Sequence, residues 1–226
     1  MAHLLDNPAW NALGGPDAKF RVTDGAIRRY DPEVAGFVGA ETLAGFGGLA
    51  EVLGPGESAV VITTEPIPLP GLDLIASRPL FHMIAIEPRL QDVTLSLKPL
   101  GTEHVAEMMA LVELTKPGPF FRRTIEFGGY LGIFDDGRLV GMAGERKHLD
   151  GFSEVSAVCT HPDYRGRGYA KQLVSAVTAG IVARGEMAFL TTFTDNAPAI
   201  ATYEALGYRI RRPMHVMFAH RPAIAA

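Results

Sequence analysis

His161–Leu173 reads HPDYRGRGYAKQL. Arg165, Gly166, Arg167 and Gly168 are consecutive, and an amphipathic segment starts at once after them. A solvated turn needs one glycine, not a cationic strip feeding a helix. The start of a helix leaves about four backbone N–H groups without partners, and its dipole adds roughly half a positive charge there. Gly166 and Gly168 remove the side-chain bulk that would keep a ligand from those amides. Arg165 and Arg167 add forked donors suited to phosphate oxygens. The stretch is a phosphate cradle between a strand and a helix.

The flanks agree with that placement. SEVSAVCT before it is a strand that alternates poorly, as expected when both faces are buried. The following helix is expected from about Gly168 to Arg184. Ala170, Leu173, Val174, Val177 and Ile181 form its apolar stripe, Lys171, Gln172, Ser175 and Thr178 face away, and Gly185 ends it. MAFLTT is the next strand. NAPAIATYEALG is a short helix with Asn196 as N-cap, Pro198 in the first turn and Gly207 at its end. YRIRRPMHVMFAH closes the chain as a strand. Upstream, DVTLSL is expected as a strand and TEHVAEMMALVEL as a helix. GYLGIF and RLVGMAGER form a hairpin about Asp136-Gly137.

Two other phosphate-binding patterns fail. No G-x-x-x-x-G-K-[ST] string occurs. The third small residue of a dinucleotide-binding turn, counted from Gly166 and Gly168, falls on Lys171. What remains is Arg165-x-x-Gly168-x-Ala170.

The first stretch is less informative. AKFRVTDGAIRRY is a hairpin with Asp24-Gly25 as its turn. Leu43, Phe46, Leu49, Ala50 and Leu53 have helical spacing before Gly54, and SAVVITT is a strand. A boundary is expected near residues 87–92, after the Pro-rich TTEPIPLPG and the apolar LFHMIAI. The division is therefore 1–92, a smaller α+β segment, and 93–226, the part that carries the chemistry.

Composition narrows the function classes. The chain has 226 residues, 47% of them hydrophobic, and a formal net charge of -4. No basic excess points to nucleic acid. No apolar run is long enough to span a membrane, and the N-terminus lacks a secretory pattern. One cysteine, Cys159, excludes an internal disulfide and a cysteine-built zinc site. The seven histidines have no H-x-x-x-H spacing, so no metal is expected. The default is a cytoplasmic protein, monomeric or homodimeric.

EVSAVCTHPDYRGRGYAKQLV and NAPAIATYEALGY, in that order, resemble the two motifs of the GCN5-related N-acetyltransferases (GNAT). The similarity covers roughly residues 93–218. KPGPFFRRTIEFGGYLGIFDDGRLVGMAGER resembles the FR47-like branch. The resemblance implies an α/β (α+β) GNAT fold, a mixed twisted sheet flanked by helices. Residues 1–92 then have a further reading as a degenerate GNAT-like half. It also implies acetyl-coenzyme A as co-substrate and a primary amine as acceptor, a small molecule or peptide. The pantetheine arm would lie beside Val158, Cys159 and Thr160. The pyrophosphate would lie on Arg165, Gly166, Arg167, Gly168, Tyr169, Ala170 and Lys171. Asn196 would contact the coenzyme, and Tyr203 would protonate the leaving thiolate. Glu154, placed on the face of Val158, is the general base of some relatives, acting through water. Others carry an acidic base where this chain has Thr191.

Several residues keep a second reading. Ile200, Tyr203 and Leu206 share one helix face, so packing alone also accounts for Tyr203. Glu154 is equally an edge carboxylate at a strand start. Cys159 is a small core residue before it is a nucleophile. Arg122, Arg123 and Glu126 either line the acceptor site or form a solvated charged turn. The rival to an enzyme is a non-catalytic acyl-coenzyme A sensor that keeps the cradle without turnover.

Overall fold

The computed structural model describes residues 3–223. The first two and last three positions of the stretches 1–92 and 93–226 lie outside the described residues. One ten-stranded mixed sheet runs through the molecule. Its strands are β1 Ile27–Arg29, β2 Phe37–Ala40, β3 Ser58–Thr63, β4 Asp73–Ala85, β5 Lys98–Pro99, β6 Leu131–Asp135, β7 Arg138–Leu149, β8 Phe152–Thr160, β9 Met187–Phe193 and β10 Tyr208–His220. The helices are α1 Pro8–Gly14, α2 Leu49–Val52, α3 Val105–Thr115, α4 Tyr169–Ala183 and α5 Ala197–Ala205.

The strand order is β1-β2-β3-β10-β4-β9-β8-β7-β6-β5. β10 from the end of the chain lies between β3 and β4, and β4 lies between β10 and β9. The two stretches therefore interleave instead of forming separate sheets. The pairings mirror each other about the antiparallel β10–β4 pair. Outward on one side they are antiparallel to β3, parallel to β2 and antiparallel to β1. On the other they are antiparallel to β9, parallel to β8 and antiparallel to β7. The β8–β9 crossover carries the quoted loop and the 15-residue α4. The β2–β3 crossover has only a 3-10 turn, Ala44–Gly48, and the four-residue α2.

Local chemistry sets the element ends. α4 stops where Gly185 adopts φ 78°, and α5 where Gly207 adopts φ 88°. Asn196 caps α5 by accepting from the Ala199 amide at 3.3 Å. Asp136 and Gly137 both have positive φ, as a tight two-residue hairpin turn requires. Leu173, Val174, Val177 and Ile181 of α4 are buried against Met83, Val140, Val155 and Leu190.

Two expectations are corrected. Ser175 and Thr178, read as facing away, are buried. Ser175 Oγ accepts from the Gln91 amide at 3.1 Å, and Thr178 Oγ1 bonds the Tyr208 hydroxyl at 2.7 Å. The connection after β4 and the last strand cover that side of the helix. DVTLSL forms no strand; only Lys98–Pro99 pairs with β6. The Thr94 and Leu95 amides bond Gln172 Oε1 on α4 at 2.9 and 3.0 Å, so the segment lies along a helix rather than at a sheet edge.

Candidate active site

β8 and β9 pair only from Phe152↔Met187 to Glu154↔Phe189. Beyond Glu154 they part. The cause lies on β8, where Ser156 pairs with Gly144 and Cys159 with Met142. Two residues, Ala157 and Val158, face the single Ala143, which is a β-bulge. Ala157 takes φ 52°, a conformation that costs an alanine roughly 1–2 kcal/mol. The bulge bends β8 away from β9 and opens a wedge that continues into a cavity of about 430 Å³.

Val158, Cys159, Thr160, Arg165, Ala170, Asn196 and Tyr203 all line this cavity. Gly166, Arg167, Gly168, Tyr169 and Lys171 belong to the loop and first turn at its rim and are not on its wall. The two arginines diverge. Arg167 is folded back, 4.6 Å over the Tyr164 ring and 3.3 Å from the Asp163 carbonyl. Arg165 reaches the cavity and has no partner among the described residues.

The cradle fits a pyrophosphate. Gly166 and Gly168 have φ 77° and 79°, and a Cβ on either would meet open space. Gly168 caps α4 without a side-chain bond. Among the described residues none of the amides from Gly166 to Lys171 donates to a protein acceptor. So long a run of unsatisfied amides beside an arginine has the chemistry to hold an anion.

Tyr203 is mostly buried, and its hydroxyl makes no hydrogen bond among the described residues although it lies on the cavity wall. Burial pushes its pKa up to about 12. Cys159 is buried among Met108, Leu111 and Met142, and burial pushes its thiol up to about 11. It is inert packing beside the wedge, not a nucleophile.

Glu154 occupies a different environment from the one expected of a base. Its carboxylate is fully buried. It accepts from Arg146 Nε at 2.8 Å, Arg146 Nη2 at 2.9 Å, Lys147 Nζ at 2.7 Å and Thr191 Oγ1 at 3.3 Å. A second bulge produces this cluster: Glu145↔Val155 and His148↔Ser153 leave Arg146 and Lys147 opposite Glu154 alone. In a regular strand consecutive side chains would point to opposite faces. Burial by itself raises the Glu154 carboxyl, but the two cations outweigh it and hold it well below the usual carboxylate range. A carboxylate so held is a poor proton acceptor. Glu154 also does not share a face with Val158, since the bulge at Ala157 breaks the alternation and Val158 packs with the α4 cluster beside Val155.

Arg123 is committed elsewhere, bonding Glu126 and Asp31 at 2.6 Å each; neither it, Arg122 nor Glu126 lines the cavity. Sequence reasoning missed Arg146, which does line it. The available signal was Arg146-Lys147-His148, three basic residues running through a buried strand. It also missed the apolar wall contributed by Phe37, Val60, Ile62, Leu80, Val216 and Phe218. Among the described residues no group of three His, Cys, Asp or Glu could hold a metal ion, and no helix is long and apolar enough to cross a membrane.

Comparison with known proteins follows this geometry. A family model described as FR47-like protein matches residues 130–216. A crystal structure of a protein from the GNAT family of Novosphingobium aromaticivorans is 41% identical, with TM-score 0.93, over 98% of this chain and 100% of its own. A GCN5-related N-acetyltransferase from Kribbella flavida is 18% identical, with TM-score 0.60, over 96% and 95%. An acetyltransferase of the GNAT family from Colwellia psychrerythraea is 13% identical, with TM-score 0.53, over 97% and 98%. These last two share the fold alone. No curated protein matches the chain.

Proposed function

The chain belongs to the GCN5-related N-acetyltransferase (GNAT) family, in its FR47-like branch, and from that premise we propose that it transfers the acetyl group of acetyl-coenzyme A to the amine of a small acceptor. The observation that carries this is the bulge-opened wedge between β8 and β9, ending at a loop of unsatisfied amides. The pyrophosphate sits on the amides of Gly166 to Lys171 with Arg165. The pantetheine arm runs along Val158, Cys159 and Thr160, where β8 has no β9 partner, and Asn196 contacts it from the other side. A backbone donor of β8 aimed at the thioester oxygen stabilises the developing oxyanion, a contribution of about 3–4 kcal/mol in comparable sites.

The amine nitrogen bonds to the acetyl carbon and the carbon–sulfur bond breaks. The proton lost by the amine balances the one gained by the thiolate. Among the described residues no carboxylate or imidazole lines the cavity, so the acceptor attacks as the neutral amine. The Arg146 and Lys147 charges nearby disfavour its ammonium form. Tyr203, with a pKa near 12, stays protonated across the working range. It is a weaker acid than an ordinary thiol of pKa about 8.5. It therefore acts by donating a hydrogen bond to the developing thiolate, and full proton transfer comes late. Residues 1–92 form the far wall of the cavity, and their mirrored pairings support reading them as a degenerate second copy of the fold.

The bare cavity wall, free of any base, also favours the sensor reading. Calorimetry with coenzyme A and thiol release from acetyl-coenzyme A over an amine panel separate the two. Acetyl transfer predicts release whose kcat/KM rises tenfold per pH unit up to the acceptor's own pKa. Binding with no release over the panel establishes the sensor, and no binding removes both readings.

A further inference from the structure

The cavity passes through the wedge to the opposite side of the sheet. Phe37, Val60, Ile62, Leu80, Val216 and Phe218 line its far arm beside Arg146; Lys116 and Arg165 are the other charged residues on the cavity wall. Val60 and Ile62 project from the same face of β3, and Phe218 and Val216 are their partners on β10. Leu80 lies beside them on β4, opposite Phe193 of β9. The arm is thus a hydrophobic box on the strands that the two stretches exchange, and the acetyl-coenzyme A reading leaves it without a tenant.

Arg146 is only slightly exposed and uses Nε and Nη2 on Glu154. Among the described residues its Nη1 donates to nothing, while the guanidinium stacks 4.6 Å over the Phe37 ring. Arg146 and Lys147 face one carboxylate, Glu154. The neighbouring acids bond other cations: Asp17 and Glu145 share His148, Glu145 and Glu186 share Arg184, and Asp6 bonds Arg211 and Arg212, so none of them takes the free Nη1 of Arg146. His82 is buried and held neutral at physiological pH. The floor of an apolar box therefore carries a guanidinium with one free donor. Such a floor is completed by an anionic oxygen.

We propose that this arm is the acceptor site and that its substrate is a compact amino acid with an apolar side chain, the carboxylate on Arg146 Nη1 and the side chain in the Phe37–Phe218 box. This rests on the acetyl-transfer reading. The 430 Å³ cavity is near the lower end for ligand sites, about 300–1,000 Å³. It must also hold the thioester arm, so the acceptor is small. The neutral α-amine attacks the acetyl carbon, coenzyme A leaves as the thiol carrying the proton the amine gives up, and the product is the N-acetyl amino acid.

The test uses the full chain, acetyl-coenzyme A and three amines: L-leucine, isopentylamine (the same body without the carboxylate) and L-aspartate (a carboxylate without the apolar side chain). Thiol release should favour L-leucine over each of the others by at least about tenfold in kcat/KM referred to the concentration of neutral amine, the share of one charge-assisted hydrogen bond. Arg146→Lys keeps a cation for Glu154 and removes Nη1. It should raise the KM for L-leucine about tenfold and that for isopentylamine by less than about threefold, with coenzyme A affinity kept. Equal or better turnover of isopentylamine or L-aspartate by the unmodified protein overturns the proposal, as does silence over all three with coenzyme A bound. Those results leave the coenzyme site standing. Failure to bind coenzyme A overturns the acetyl-transfer reading and this one with it.

Discussion

Replacing Glu154 with glutamine separates a scaffold role from a base role. The variant keeps the shape of the side chain and removes the only carboxylate among the described residues that bonds Arg146 and Lys147. Both cations then share a buried site without a counter-ion, and breaking such a pair costs about 3–5 kcal/mol. For a domain of this size each kcal/mol moves Tm by roughly 2–4 °C, so Tm should fall by roughly 6–20 °C at pH 7. Lys147 moderates the loss. Burial and the adjacent Arg146 already lower its pKa to about 8, so it sheds its proton readily in the variant. The deficit should shrink as pH rises through 8. Thermal unfolding across pH 6–9 measures this. Turnover is then compared at saturating amine and well below the variant's Tm. A scaffold leaves kcat within about threefold, whereas removal of a general base costs about 10²–10⁴-fold. An unchanged Tm with a hundredfold loss of kcat would refute the reasoning and return Glu154 to the chemistry.

Gly168→Asp should weaken coenzyme A binding by roughly 10- to 100-fold, because a carboxylate about 5 Å from a phosphate charge costs roughly 1.5–3 kcal/mol at effective dielectric constants of about 20–40. Gly168→Asn carries the same backbone strain at φ 79° without the charge; equal affinities in the two variants would exclude the cradle. Tyr203→Phe should lower kcat about tenfold or more and leave coenzyme A affinity within twofold; equal kcat in variant and parent would remove the hydroxyl from the reaction. His148 supplies a pH test of stability. Burial lowers its pKa, but bonds to Asp17 at 3.0 Å and Glu145 at 3.3 Å outweigh that and raise it to about 9. Its contribution, at most about 3 kcal/mol, is complete below pH ~6.5 and disappears as pH climbs through 9. The Tm gap between the parent and His148→Gln should follow that course, and a gap constant from pH 6 to 10 would contradict it.

The parts legible from the sequence are those governed by near neighbours. The glycines of the cradle, the apolar stripe of α4, the Asn196 cap and the Asp136-Gly137 turn depend on spacing within one or two turns of chain. Each appears where its spacing places it. Arg146 was legible only as one of three basic residues, Arg146-Lys147-His148, in an otherwise mostly apolar strand. Its reach into the cavity depends on a register slip between β7 and β8 that lets two consecutive residues oppose one, and no residue in that run announces the slip. Ser175 and Thr178 misled for a related reason. A polar residue on a helix marks solvent only when nothing else packs there, and here the segment after β4 does.

Local sequence by itself determined a glycine-rich loop at the mouth of a helix, with the strand and helix that hold it, because capping, glycine conformations and periodicity are short-range effects. The tertiary structure alone decided that β4 and β10 exchange places, that Ala157 splits β8 from β9, and that Glu154 is locked between two cations. Those features follow from strand pairings, some between residues as distant in the chain as Asp73 and His220, and strand register is set by burial across the whole sheet.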